Sequence, residues 1–176
     1  MTLLLYKKKD EQSHAINTTQ ISIGVVALIF GSLIYLIDRP PDQTYFVFTS
    51  PIKFNLLNLH QFLPNLFVSI GNILPDFLHV FSFTLITAGI VSCGKRGSLI
   101  ICLVWFLTDI GFELGQEYPS ISLKIIPDWF EGIPFLENSK NYFLYGTYDI
   151  YDIAAVVLGA ATASFILLTT IKRREI

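Results

Sequence analysis

Seven polar side chains, six of them of the ionisable kinds that carry acid–base chemistry, lie within or beside the apolar stretches of this chain. Charged groups are costly in hydrocarbon, and in membrane proteins they usually mark functional positions. Helical spacing places Asp109, Glu113 and Gln116 on one face, because i, i+4 and i+7 positions are neighbours on a helix. The other four form two pairs at i and i+3, which are Asp76 with His79 and Asp149 with Asp152.

The composition predicts the membrane setting in which these side chains must act. Of the 176 residues, 52% are hydrophobic and 15% are charged, and the mean hydropathy is +0.56. An ordinary soluble domain carries about 25% charged residues. The chain is therefore expected to be an integral membrane protein, which excludes a soluble enzyme domain and gives no reason to expect a nucleic-acid partner.

Four apolar stretches are long enough to cross a bilayer, which takes about 20 residues. They cover about 21–37, 77–93, 98–118 and 151–171, between a tail of residues 1–20 and a tail of residues 172–176. The chain contains no internal repeat and no linker that would divide residues 21–171. The predicted fold is an all-α membrane protein, a single four-transmembrane-helix bundle.

The distribution of Lys and Arg predicts the orientation of the bundle. Eight of the twelve basic residues lie before the first span, between the second and third, or after the fourth. Basic residues concentrate in cytoplasmic segments, so we expect both termini to be cytoplasmic and two long loops to face outwards. All three polar clusters then arrive at the outer face, joined there by Arg39 at the end of the first span.

The loops and the fourth span carry weaker signals. Residues 55–73 are apolar but interrupted by polar groups and are expected to lie in the membrane interface or dip into it. Pro119, Pro127 and Gly132 exclude one long helix from the second loop, which we expect to cap the outer mouth. Ala155, Gly159 and Ala163 follow at four-residue steps in the fourth span, a small-residue face that predicts close helix packing.

The polar residues allow several kinds of chemistry. Neighbouring carboxyls and an imidazole could supply one acid and one base for hydrolysis, with His79, Glu113 and Asp152 as the catalytic candidates. They could equally bind a divalent cation through oxygen ligands, or recognise a sugar or peptide by hydrogen bonding without any reaction. The ligand-binding candidates are Arg39, Asp76, Asp109, Gln116 and Asp149.

A structural role is the alternative for some of these residues. Asp76, Asp149 and Asp152 are predicted to lie near helix N-termini, where a carboxylate can cap the helix and complement its dipole. That explanation fails for Asp109 and Glu113, which lie in the C-terminal half of the third span. No H-E-x-x-H or paired-His spacing predicts a metal site, and no motif identifies a cofactor.

Three short motifs resemble those of VanZ-like membrane proteins. They are Leu-Pro-Asp-Phe-Leu-His-Val-Phe at 74–81, Phe-Glu-Leu-Gly-Gln at 112–116, and Gly-Thr-Tyr-Asp-Ile-Tyr-Asp-Ile at 146–153, which leads into Leu-Gly-Ala at 158–160. The resemblance covers roughly Asp76 to Thr170 and implies the same four-helix architecture and outward site. The chain departs from the family pattern at Ala155-Val156-Val157, where a polar residue is usual, and in its long second loop.

Two functions remain open from the sequence. The first is a multi-pass protein of a bacterial inner or plasma membrane that binds, and could modify, the headgroup of a cell-envelope lipid or glycan. The second is a scaffold or assembly subunit without enzymatic activity, whose polar cluster holds the helices together and which acts with a membrane-protein partner. The substrate, any metal and the oligomeric state are not identified by the residues.

Overall fold

Four long helices dominate the computed structural model, which describes residues 16–38, 68–133 and 136–170. They are α1 (Thr18–Asp38), α2 (Val68–Val91), α3 (Lys95–Glu117) and, last in the chain, α6 (Ile150–Thr170). Each is long and apolar enough to cross a membrane. The prediction of an all-helical chain with four potential membrane spans is confirmed, and the described residues contain no strand.

Short helices replace a single long one between α3 and α6. They are α4 (Pro119–Ile125), two 3₁₀ turns at Asp128–Phe130 and Leu136–Asn138, and α5 (Ser139–Tyr145). Pro119 opens α4, where its missing N–H costs nothing, and Pro127 precedes the first 3₁₀ turn. Gly132 has a φ of 84°, a left-handed conformation that suits glycine. The expectation that this loop cannot form one helix is confirmed.

The four long helices alternate in direction, which gives the bundle two distinct ends. We name the end where α1 and α3 finish and α2 and α6 begin the loop end, and the opposite end the tail end. At the tail end the Asn17 backbone N–H donates to the Gly89 carbonyl at 2.9 Å, and its side chain donates to the Thr170 carbonyl at 3.1 Å. These contacts join α1, α2 and α6, so the tail end is held by polar bonds as well as by packing.

Helix α2 is the central element, because it packs against α1, α3 and α6. Small residues allow the close approaches on both sides of it. A Cβ on Gly24 of α1 would lie 2.9 Å from the Ser82 carbonyl oxygen, and one on Gly159 of α6 would lie 2.5 Å from the Phe77 carbonyl oxygen. Ala155 and Ala163, which share the Gly159 face, are 3% and 0% exposed. The predicted small-residue packing face of the fourth span is confirmed.

Helix α2 begins at Val68, nine residues before the predicted start of its span at Phe77. The apolar pattern continues through Pro75, which a transmembrane helix tolerates, and residues 68–73 of the expected interfacial stretch form the first turns of α2. The rest of that stretch lies outside the described residues. This earlier start changes the depth of the polar residues that follow, because Asp76 lies two turns inside the helix and no longer near its N-terminus.

Candidate functional site

His79 of α2 and Asp109 of α3 form an ion-pair-type contact between the two helices. The His79 Nδ1 lies 3.0 Å from one Asp109 carboxyl oxygen and 3.1 Å from the other. The Asp109 side chain is 7% exposed, whereas that of His79 is 46% exposed. The buried carboxyl therefore orients an imidazole whose outer half is accessible. We call this pair the dyad.

The dyad lies near the middle of its two spans along the helix axes. His79 is three residues on the loop-end side of the middle of the apolar window Ile73–Val91, and Asp109 is three residues on the same side of the middle of α3. At a rise of 1.5 Å per residue, both are about 4.5 Å from the midpoint of their spans. The sequence predicted His79 at the start of its span, so the earlier start of α2 moves it inwards.

Two aromatic side chains lie next to the dyad on its tail-end side. Phe83 follows His79 by one turn, with ring centroids 4.5 Å apart, and Trp105 precedes Asp109 by one turn. The Phe83 and Trp105 rings are 4.8 Å apart, and Trp105 Nε1 donates to Thr87 Oγ1 at 3.0 Å. The seam between α2 and α3, where the two helices contact each other, is thus polar at the dyad and aromatic on the tail-end side of it.

Polar residues continue from the dyad towards the loop end along α3. Glu113, one turn above Asp109, is 6% exposed. Gln116 is seven residues from Asp109, about 10 Å closer to the loop end, and its side chain lies against Gly146, where a Cβ would meet Gln116 Cδ at 2.7 Å. The predicted polar face of the third span therefore runs from Gln116 near the loop end to Asp109 in the dyad.

The last turns of α3 are covered by the second loop. Phe112 stacks on Phe143 of α5, with ring centroids 5.8 Å apart, and Gly115 lies against the same Phe143 ring. Ser122 of α4 donates to the Gly115 carbonyl at 2.8 Å. Small size at Gly115 and aromatic character at Phe112 allow this close contact. The described part of the loop therefore packs on the end of α3, beside the polar stripe.

The remaining predicted site residues have different environments. Asp149 is exposed, and its Oδ1 accepts the backbone N–H of Tyr151 at 3.0 Å, which is the geometry of a helix cap. Asp152 lies in the first turn of α6 and is half-buried, as is Asp76 on α2. Arg39 lies outside the described residues. In the described part of the chain, no three His, Cys, Asp or Glu side chains form a group that could hold a metal ion.

Phe83, Trp105 and Thr87 were not singled out from the sequence. A signal for them exists, because Phe83 lies at i+4 from His79 and Trp105 at i−4 from Asp109, so each shares the helix face of its dyad residue. Aromatic residues are common in apolar spans, however, and the spacing alone does not show that the two faces meet. The pairing of α2 with α3 was needed to reveal it.

No protein-family model, no curated protein and no solved structure matches this chain. The resemblance to VanZ-like proteins therefore stays a prediction that rests on the three sequence motifs.

Proposed function

We propose that this protein binds the polar headgroup of a cell-envelope lipid or glycan at the dyad, entering from the loop end along the stripe of Gln116 and Glu113. The observation that carries this proposal is the asymmetry of the dyad. Asp109 is 7% exposed and His79 is 46% exposed. Because Asp109 covers only one side of the imidazole, the remaining side can contact a ligand.

The depth of the dyad supports a functional interpretation. Ionisable groups about 4.5 Å from the middle of a span are expensive to place in hydrocarbon. Helix joining is already provided nearby at lower cost by the neutral hydrogen bond from Trp105 to Thr87. The additional polar pair needs a reason beyond packing, and a polar ligand that satisfies the outer half of His79 supplies one.

The position of the polar residues along α3 favours binding of a ligand over conduction of protons or ions. Polar groups line α3 from Gln116 to Asp109, and below the dyad the seam is occupied by the Phe83 and Trp105 rings, 4.8 Å apart. A relay of protons needs titratable groups along its path, and the tail-end halves of the four long helices contain no Asp, Glu or His. A polar face that ends at an aromatic pair suits a ligand that enters and leaves by the same route.

We place the loop end at the outer face of a bacterial inner or plasma membrane, with both termini cytoplasmic, because basic residues concentrate in cytoplasmic segments. The ligand would then come from the outer leaflet or the envelope. If a reaction occurs, His79 is the proposed base because Asp109 orients its ring. Glu113 and Asp152 are the proposed acids.

Native mass spectrometry of the purified protein tests the proposal. Wild type is compared with His79→Ala and Glu113→Gln, and circular dichroism checks that each variant folds. We expect wild type to retain an envelope lipid or glycan that both folded variants lose. As a control, Asp128→Asn changes an exposed loop carboxyl and should retain it. Equal retention by wild type and by the folded His79→Ala protein would contradict the proposal.

A scaffold function is the second candidate, and the hydrogen bonds between helices favour it. Gln20 of α1 donates to Thr170 Oγ1 of α6 at 2.9 Å, and Cys102 of α3 donates to the Ala160 carbonyl at 3.4 Å. In this case the dyad would be one more helix link, and the protein would act through a membrane-protein partner. The scaffold predicts that Glu113→Gln keeps function while Glu113→Ala loses yield. A folded but non-binding Glu113→Gln protein contradicts it.

A further inference from the structure

Nε2 is the nitrogen of the dyad that Asp109 does not contact. His79 Nδ1 lies within 3.1 Å of both Asp109 oxygens. One Nδ1–H can be shared between the two oxygens of a carboxylate, whereas a protonated carboxyl carries its hydrogen on only one of them. Asp109 is therefore the acceptor and Nδ1 carries a hydrogen, and in the neutral imidazole this leaves a lone pair on Nε2. Among the described residues no side chain donates to Nε2.

Among the residues that the structure describes, an acidic side chain and an aromatic ring lie close to the dyad. Glu113 lies one turn from Asp109 on the same face of α3, and the basic residues that α3 itself carries, Lys95 and Arg96, are at its tail end. They are about 20 Å from Asp109 along the helix. Phe83 adds an aromatic ring 4.5 Å from the His79 ring, measured between centroids. Carboxylates and π systems both attract cations.

From these features we propose that the His79 imidazole is neutral and that the dyad selects a headgroup with a primary ammonium, the chemistry of phosphatidylethanolamine, and this inference rests on the proposed function. An ammonium supplies N–H donors for His79 Nε2 and positive charge for the Asp109 carboxylate. A phosphodiester alone has only acceptors and would face the Nε2 lone pair. A choline headgroup carries the same positive charge as an ammonium but has no N–H to donate.

Three lipids with identical acyl chains separate these contributions. Phosphatidylethanolamine has charge and donors, phosphatidylcholine has charge without donors, and phosphatidylglycerol has hydroxyl donors with a net negative charge. Each is supplied to the full-length protein in detergent, and retention is measured by native mass spectrometry. We expect phosphatidylethanolamine to be retained about tenfold better than either of the others, as one charged hydrogen bond would give.

Asp109→Asn tests the tautomer without changing the shape of the side chain. The amide of the variant can donate to Nδ1, which moves the ring hydrogen to Nε2 and turns the acceptor into a donor. We expect the preference for phosphatidylethanolamine over phosphatidylcholine to disappear. Asp128→Asn, the same chemical change on an exposed loop residue, should keep it. The ¹⁵N NMR signals of His79, assigned by their loss in His79→Ala, should show Nδ1–H in wild type and Nε2–H in Asp109→Asn.

The outcomes distinguish this inference from the proposed function. Equal retention of phosphatidylethanolamine and phosphatidylcholine, a preference for phosphatidylglycerol, or an unchanged preference in Asp109→Asn would each overturn the ammonium proposal while leaving headgroup binding intact. An Nε2–H signal in wild type would overturn it as well. If wild type and the folded His79→Ala protein retain every lipid equally, the proposed function itself fails.

Discussion

Gly159 is the position where a single added methyl group should do most damage to the helix packing. A Cβ there would lie 2.5 Å from the Phe77 carbonyl oxygen and 2.6 Å from Val80 Cγ1. Ordinary contact distances are about 3.5–4.0 Å, so the shortfall is about 1 Å. The Phe77 oxygen belongs to the backbone and cannot rotate away. Gly159→Ala must therefore push α6 and α2 apart beside Phe77 and Val80, the residues that flank His79.

Two opposing terms set the size of the effect. Overpacking a well-filled interior costs about 1–3 kcal/mol, whereas replacing Gly by Ala inside a helix gains about 1 kcal/mol of helix propensity. The net expectation is a loss of up to about 2 kcal/mol. For a chain of this length, that corresponds to a fall in Tm of up to about 8 °C. Because the α2 segment that carries His79 also shifts, the variant should bind the headgroup more weakly than wild type.

Gly111→Ala is the matched control. Gly111 is also inside a transmembrane helix, and a Cβ there meets nothing within 4 Å. Only the propensity gain remains, so this variant should be as stable as wild type or more stable by up to about 1 kcal/mol. The pair therefore separates the effect of the clash from the general effect of changing Gly to Ala.

The buried thiol of Cys102 reports the unfolding of both variants. It is 5% exposed and donates to the Ala160 carbonyl, next to Gly159 in the chain. Thermal unfolding in detergent is followed by the maleimide reactivity of Cys102, in a Cys93→Ser background so that only one thiol reacts. Gly159→Ala should expose Cys102 at a lower temperature than Gly111→Ala. A Gly159→Ala protein as stable as its Gly111→Ala control would refute the packing argument.

Two further predictions concern the seam and the loop. Trp105→Phe removes the Nε1–H that donates to Thr87, which should lower the free energy of unfolding by about 1 kcal/mol in a thermal unfolding measurement. Trp129→Phe changes an exposed loop residue and should lower it by less than half as much. Equal losses would contradict the role of the hydrogen bond. In the second loop, the Lys140 ammonium lies 2.6 Å from Glu131 and lowers the pKa of that carboxyl. Since the folded-state pKa is lowered, the support that this pair gives the loop is present above the ordinary pKa of Glu and is lost as the pH falls through the lowered value. In wild type, amide hydrogen exchange in residues 128–133, corrected for intrinsic rates, should rise in that acid range. In Glu131→Gln the corrected exchange should be independent of pH there. Parallel profiles for the two proteins would count against a role for the ion pair.

The extent of the four spans could be predicted well from the sequence, and the depth of the site less well. Span length depends on local hydrophobicity, and in three cases both helix ends lie within three residues of the predicted ends. The exception is α2, because residues 55–73 were expected to lie in the membrane interface on account of the polar groups that interrupt them. The start of α2 at Val68 removes the cap explanation for Asp76, and the apolar window that begins at Ile73 places His79 three residues from its middle.

Two local patterns were readable because they depend only on the period of one helix. The stripe of Asp109, Glu113 and Gln116 follows from i, i+4 and i+7 spacing, and the small-residue face of Gly159 follows from four-residue steps. The cap geometry of Asp149, one of two alternatives left open by the sequence, also depends on neighbouring residues alone. Features of this kind need no knowledge of which helix lies beside which.

The sequence by itself therefore determined how many helices could cross the membrane and which face of α3 is polar, since hydrophobicity and helical period are properties of each segment. Only the tertiary structure decided that Asp109 is the partner of His79 and that Trp105 and Phe83 meet below them. The choice of partner depends on how small residues let α2 approach α1 and α6, and that approach sets which face of α2 is left for α3. Such lateral fit arises from the shapes of residues far apart in the chain, which no local pattern encodes.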